Sequence, residues 1–106
     1  MINIAIMYDG REEIIDAVQE IINEKITIDK ISRERIKQHL YTRNFPKVDY
    51  LIRTGMEDGK RISGFLIWDC AYAEFKFRNE YFPDYNEEML LEDLNDYIDR
   101  NRRKGK

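Results

Sequence analysis

Apolar residues along this chain follow two rhythms, short runs and helical stripes, in alternation. The opening INIAIMY is rich in isoleucine and runs into Asp9-Gly10, which predicts a buried strand that ends in a turn. Ile14, Ile15, Val18, Ile21 and Ile22 then recur at helical spacing, and Asp9 with Glu12 can form a capping box that satisfies orphan amides at the helix start. Ser32 is placed to cap a second helix through Leu40, with Ile31 and Ile36 as a hydrophobic staple across the cap. Pro46 closes that connection. VDYLIRT is nearly continuous in apolar and aromatic residues before Arg53, as a strand buried on both faces would be, and TGMEDGKRISG with its three glycines is a loop.

The run FLIWDCAYAEFKF carries both rhythms. Phe65, Leu66, Trp68, Tyr72 and Phe75 suit a buried helix, whereas EFKF alternates, so the reading is a helix over 64–73 and a strand over 74–78. PDY introduces a last helix capped by Asn86, with Leu90, Leu91, Leu94, Tyr97 and Ile98 on one face. Its first turn carries Glu87 and Glu88 and its end Arg100, which complements the helix dipole at both ends. Strands alternating with helices predict an α/β fold: a partial parallel sheet of three strands, flanked by helices.

Composition narrows the picture. With 106 residues the chain suffices for one domain, residues 1–106, of which about two thirds of the unfolded surface would be buried. Its 42% hydrophobic and 37% charged residues argue for a packed core rather than disorder. Eighteen basic against 21 acidic side chains leave a net charge of -3, no excess that would track a nucleic-acid backbone. The basic end, Arg100, Arg102, Arg103, Lys104 and Lys106, reads on charge alone as a solvated tail. The single cysteine, Cys70, sits in an apolar run and reads as a buried, inert thiol in a reducing cytosol. No stretch approaches the about 20 apolar residues of a membrane span, and no basic region with an apolar run opens the chain. The expectation is a cytoplasmic protein with at most peripheral membrane contact.

In open parallel sheets ligands bind beyond the carboxyl ends of strands, where strand-to-helix loops converge. That rule selects YDGRE, with Arg11 in the opening turn of a helix, and the loop after Ile52, with Arg53, Glu57, Lys60, Arg61 and Ser63. Guanidinium groups, a hydroxyl and glycine-permitted backbone amides could together hold a diphosphate. Ordinary ion pairs of Arg53 with Asp49 or Glu57 account for the same residues equally well. His39 stands alone near a helix end, where capping or packing is the common role. No metal-ligand pair, nucleophile with its base, or Walker loop is present in the sequence.

The series DYLIRTGMEDGKRISGFLIWDCAYAEFKF resembles the signature region of cis-prenyltransferases of the undecaprenyl diphosphate synthase family: an aspartate, an apolar strand, RT, a glycine-containing turn, E-x-R-x-S, NFLLWQ, AY, a glutamate and an aromatic strand. IMYDGREEI is similar to the family's NYGGR-x-E-I, KQHLYT to its HLYT, EYFPDYNEEMLLEDL to its WPDF segment and helix, and NRRKGK to its terminal RRFGG. These matches keep their order over almost the whole chain and correspond to the C-terminal half of that fold. The resemblance implies that Arg53, Arg61 and Ser63 hold the diphosphate of isopentenyl diphosphate. It implies that Glu74 helps place Mg2+, and that Arg103 and Gly105 form an arginine-x-glycine element folding over a partner's diphosphate. Phe65, Leu66, Ile67, Trp68 and Tyr72 would be core and dimer-interface residues.

Departures accompany the resemblance. Asp58, Gly59 and Lys60 separate Glu57 from Arg61, where the family has one residue; Met7, Asp9, Met56, Gly64 and Asp69 stand where the family has asparagine, glycine, usually glycine, asparagine and glutamine. The family's M-D-G-N-x-R-W segment, whose aspartate binds magnesium and whose backbone cradles the allylic diphosphate, is absent from the sequence. The expectation is therefore polyprenyl diphosphate synthesis by cis elongation, performed only with the missing N-terminal half, the isolated chain being inactive. A non-catalytic accessory subunit of a heteromeric enzyme and an inactive truncated copy are the alternatives. Isopentenyl diphosphate is the implied ligand, and a homodimer or a heteromer with an N-terminal-half or complete cis-prenyltransferase chain would supply the partner.

Overall fold

The computed structural model describes residues 1–103. They form two compact units: Met1–Lys47 with Ser63–Ala71, and Val48–Ile62 with the chain from Tyr72 onward.

In the first unit helix α1 spans Gly10–Asn23 and helix α2 spans Arg33–His39. Both start where side-chain oxygens meet orphan amides: Asp9 accepts from the Arg11 amide at 2.9 Å, and Ser32 from the Arg35 amide at 3.0 Å. The buried stripe of α1 is Gly10, Glu13, Ala17 and Ile21, so Ile15, Val18 and Ile22 of the expected apolar face stay exposed. Ala17, Ile21, Leu40 and Cys70 are buried apolar residues of this unit. Burial pushes the Cys70 thiol up, in keeping with an inert cysteine.

Two expectations for this unit fail. Residues 1–7 form no strand, and Ile2, Ile4 and Ile6 are exposed, with Met7 in the left-handed region (φ 51°). A strand exists only against a partner that pairs its backbone, and no described residue supplies one. The helix expected over 64–73 is a series of turns instead. Ser63 (φ 51°), Gly64 (φ 77°) and Leu66 (φ 47°) are left-handed, which a right-handed helix does not accommodate. A Cys70 amide bond to the Leu66 carbonyl, 2.9 Å, closes one helical turn within the run.

The second unit holds strands β1 (Tyr50–Arg53) and β2 (Glu74–Phe77), paired in parallel with Tyr50 opposite Glu74 and Arg53 opposite Phe77. The described sheet thus has two strands rather than three. Only Leu51 of β1 is buried; the rest of both strands is half-buried. After a single 3-10 turn at Phe82–Asp84, helix α3 runs Glu87–Arg103, with the Asn86 side chain accepting from the Met89 amide at 2.9 Å. The leucine stripe of α3 is exposed at Leu90, Leu91, Leu94 and Ile98. Its more buried side is polar: Asp93 is fully buried, and Asp96 and Arg100 are half-buried. Arg100 donates to the Phe75 carbonyl at 2.6 Å and to Asp96 at 2.8 Å, binding α3 to β2.

Candidate anion-binding site

The carboxyl end of β1 opens into residues 54–62, where the topological rule places a ligand. Arg53 is the last residue of the strand, and its Nη1 donates to the Arg61 carbonyl at 2.6 Å. Arg61 in turn donates from Nη1 to the Asp58 carbonyl at 3.3 Å. The loop therefore closes on itself through its own arginines. Asp58, Gly59 and Lys60 separate Glu57 from Arg61, and a Cβ on Gly59 (φ 74°) would stand 3.1 Å from the Arg61 Nη1. The exposed Arg61 and half-buried Arg53 give this loop two guanidinium groups at one end of a parallel strand pair.

The backbone contribution differs from the expected one. Gly55 donates its amide to the Glu80 carbonyl at 2.7 Å, and Met56 donates to the Arg78 carbonyl at 2.9 Å. Those amides hold the loop to the chain after β2 and are not aimed at a ligand. Gly55 is favoured there by its φ of 70°, and a Cβ would stand a tight 3.3 Å from the Tyr81 ring.

Ser63 lies in the first unit on its left-handed backbone. Arg11, also in that unit, is strongly exposed and stands 3.8 Å from Asp9. Glu74 begins β2 with its carboxylate 3.7 Å from the Arg100 guanidinium. Arg103 is the last residue of α3, and Gly105 lies outside the described residues. Among the described residues no three histidine, cysteine or acidic side chains group to hold a metal ion. A hard divalent cation takes several oxygen ligands, and Glu74 offers one carboxylate, which also faces the Arg100 guanidinium.

Sequence reasoning missed two buried polar clusters. In the first unit Asp69 accepts from Lys37 Nζ at 2.7 Å and from the Thr42 hydroxyl, while buried Glu13 accepts from the Thr42 amide at 3.2 Å and from the Tyr8 hydroxyl. His39, expected to cap or pack, does both: Nδ1 meets the Arg35 carbonyl at 2.8 Å and Nε2 meets Glu24 at 2.6 Å. The Arg35 carbonyl, then Glu24, favour its charged form and raise its pKa. In the second unit Arg78 donates to Asp93 (2.8 Å), Glu92 (3.0 Å), Glu80 (3.2 Å) and the Met89 carbonyl (3.2 Å). An aspartate inside FLIWDC was the one available signal for the first cluster; the second had none, because Arg78 and Asp93 are 15 residues apart in acidic surroundings.

The fold is that of a prenyl-transferring enzyme family. The prenyltransferase family model for undecaprenyl diphosphate synthase matches residues 1–105. An undecaprenyl diphosphate synthase of Micrococcus luteus, specific for (2E,6E)-farnesyl diphosphate, is 45% identical over 105 residues, covering 95% of this chain and 41% of that protein. The crystal structure of a probable undecaprenyl diphosphate synthase from Campylobacter jejuni superposes with a TM-score of 0.75 at 33% identity, covering 96% of this chain and 46% of that one. Lavandulyl diphosphate synthase from Lavandula x intermedia, solved with dimethylallyl diphosphate, gives 0.77 at 34% identity over 88% and 41%. The chain belongs to the undecaprenyl diphosphate synthase family. It spans about two fifths of the length of the curated relatives it matches. No described helix is long and apolar enough to cross a membrane.

Proposed function

We propose that this chain is the C-terminal half of a cytoplasmic cis-prenyltransferase, the part that holds isopentenyl diphosphate during synthesis of a polyprenyl diphosphate. The observation that carries this reading is the joining of Arg53 and Arg61 at the carboxyl end of β1, 2.6 Å between guanidinium and carbonyl. Arginine forks suit phosphate oxygens, and this loop carries two of them at the carboxyl end of a parallel strand, the place where such sheets take anionic ligands. The series of motifs in family order, running from YDGRE to NRRKGK, supports the assignment to the second half.

Elongation ionises an allylic diphosphate and joins its carbon to the double bond of isopentenyl diphosphate, with loss of a proton. The second substrate's site cannot stabilise the first substrate's leaving group, so elongation also needs residues that hold the allylic substrate. Exposed Ile2, Ile4 and Ile6, and the open leucine stripe of α3, support association, since apolar patches of this kind mark interfaces. Magnesium belongs in this reading to donors of the completed enzyme and the substrate diphosphates, with Glu74 adding one oxygen. Incubated alone with farnesyl diphosphate, labelled isopentenyl diphosphate and magnesium, the chain is expected to give no extractable product. Turnover would require a complete site within these residues.

Titration calorimetry tests the arginines. Wild type should bind isopentenyl diphosphate saturably, and Arg53→Ala or Arg61→Ala should weaken binding about tenfold to a hundredfold, the loss of charge-assisted hydrogen bonds worth about 1.5–3 kcal/mol. Arg53→Lys should recover only part, because a point charge does not reproduce a fork. No saturable binding by wild type up to millimolar ligand would favour an inactive copy. Equal binding by all variants would move the diphosphate elsewhere, to Arg11 or Arg103.

A further inference from the structure

We propose that Arg78 is the positioning residue of the Arg53–Arg61 loop, holding it in register through a polar clamp on α3. The backbone of Arg78 bonds to both sides of the loop's entry: its amide donates to the Arg53 carbonyl at 2.8 Å, and its carbonyl accepts from the Met56 amide at 2.9 Å. Glu80 extends this, its carbonyl accepting from the Gly55 amide at 2.7 Å. Three of the first four residues from Arg53 onward therefore hang from two positions just past β2.

Those two positions would otherwise lie on an irregular connection, beyond the last pair of the ladder. What fixes them is one guanidinium. The side chain of Arg78 is only 11% exposed and engages Asp93, Glu92 and the Met89 carbonyl on α3 while also gripping the Glu80 carboxylate. Asp93 is itself held by the Tyr85 hydroxyl at 2.7 Å. The guanidinium thus joins α3 to the two residues whose backbone carries Arg53, Gly55 and Met56, and the direction in which Arg53 leaves the strand follows from it. Lysine at this position would keep the charge and lose the planar fork that reaches several acceptors at once. Arg78 touches no ligand in this scheme; it acts through the loop.

The proposal rests on the reading of this loop as a diphosphate site for its purpose, but its test does not need the ligand. Amide hydrogen exchange followed by NMR on wild type, Arg78→Met and Arg78→Lys reads the loop directly. In Arg78→Met the Gly55 and Met56 amides should lose at least tenfold in protection relative to wild type, while the α1 amides and Leu51 keep theirs; Arg78→Lys should fall between. Uniform loss across the second unit in Arg78→Met would report general destabilisation, and Arg78→Lys then decides, since selective loss at Gly55 and Met56 supports positioning and uniform loss overturns it. Unchanged protection of those two amides in Arg78→Met overturns it outright. Isopentenyl diphosphate titrated into the same samples separates the two readings. Selective loss of protection with weakened binding upholds both, and selective loss in a chain whose wild type binds nothing upholds the clamp and removes the diphosphate assignment.

Discussion

Replacing Gly10 with alanine is expected to destabilise the first unit by about 3 kcal/mol or more, the upper end of overpacking costs. The direction is opposite to ordinary helix behaviour. Gly10 opens α1, and in a helix alanine is favoured over glycine by up to about 1 kcal/mol. Here the added Cβ would stand 1.9 Å from the Gly64 carbonyl oxygen and 3.2 Å from Ile67 Cγ2. The first contact is with backbone, which cannot swing aside as a flexible side chain can. Relief requires moving α1 away from the 63–71 segment, and that segment carries Asp69 to its bonds with Lys37 and Thr42. Gly64→Ala makes the informative contrast. Its Cβ meets nothing within 4 Å, but its φ is +77°, so about 1–2 kcal/mol of left-handed strain is expected. Thermal unfolding followed by circular dichroism should place Gly10→Ala below Gly64→Ala, and both below wild type. An unchanged or raised midpoint in Gly10→Ala would mean that α1 and the Gly64 carbonyl do not meet this closely.

The glycine contact shows why parts of this fold were legible in the sequence and parts were not. Helix starts are local, decided by one side-chain oxygen and the next few amides, and Asp9, Ser32 and Asn86 were readable on those terms. The parallel strands β1 and β2 were readable from apolar runs bounded by loop residues. The run Gly64–Ala73 was not, because its helical spacing of Phe65, Leu66, Trp68 and Tyr72 is contradicted by backbone handedness at Ser63, Gly64 and Leu66, which no periodicity encodes. The opening isoleucines read as a strand because their composition suits one, yet a ladder needs a second backbone.

Burial on the helices was misjudged for a related reason. The leucines of α3 mark a face that is exposed in this chain, whereas the side engaged within the second unit carries Asp93, Asp96 and Arg100, whose pairing depends on residues distant in sequence. At the candidate site the arginines were readable by motif and by their place after a strand. Their supports, Arg78 and the carbonyl of Glu80, were not, because backbone acceptors leave no mark in a sequence.

Asp93→Ala should cost about 3–5 kcal/mol, the penalty for removing one partner of a buried ion pair. Asp93 is fully buried, and one of its oxygens accepts from Arg78 Nε at 2.8 Å and from the Tyr85 hydroxyl at 2.7 Å. Its loss strands both donors. Burial, then the bond to Asp93, push Tyr85 up to about 12, so the phenol keeps its proton and donates throughout the ordinary pH range. The other oxygen of Asp93 has no hydrogen-bond partner among the described residues and lies 3.8 Å from Lys76 Nζ. Burial by itself would raise the pKa of this carboxyl; the bonds from Arg78 and Tyr85, with the charges of Arg78 and Lys76, outweigh it and leave the group below the usual aspartate range.

The sign of the pH dependence follows. Unfolded aspartate titrates near about 3.9, so the contribution of a depressed carboxyl is fully present well above that value. It is lost as pH falls through the lower, folded pKa. Urea midpoints from pH 7 down to about 2.5 should therefore decline more steeply below pH 4 in wild type than in Asp93→Asn, which has no such proton to take up. At pH 7 the asparagine variant should be intermediate between wild type and Asp93→Ala, since its amide oxygen can still accept from Arg78 or Tyr85 but carries no charge. Parallel acid limbs for wild type and Asp93→Asn would show that Asp93 is not held ionised by this clamp, and a loss under about 1 kcal/mol in Asp93→Ala would show that Glu80 and Glu92 suffice to hold Arg78.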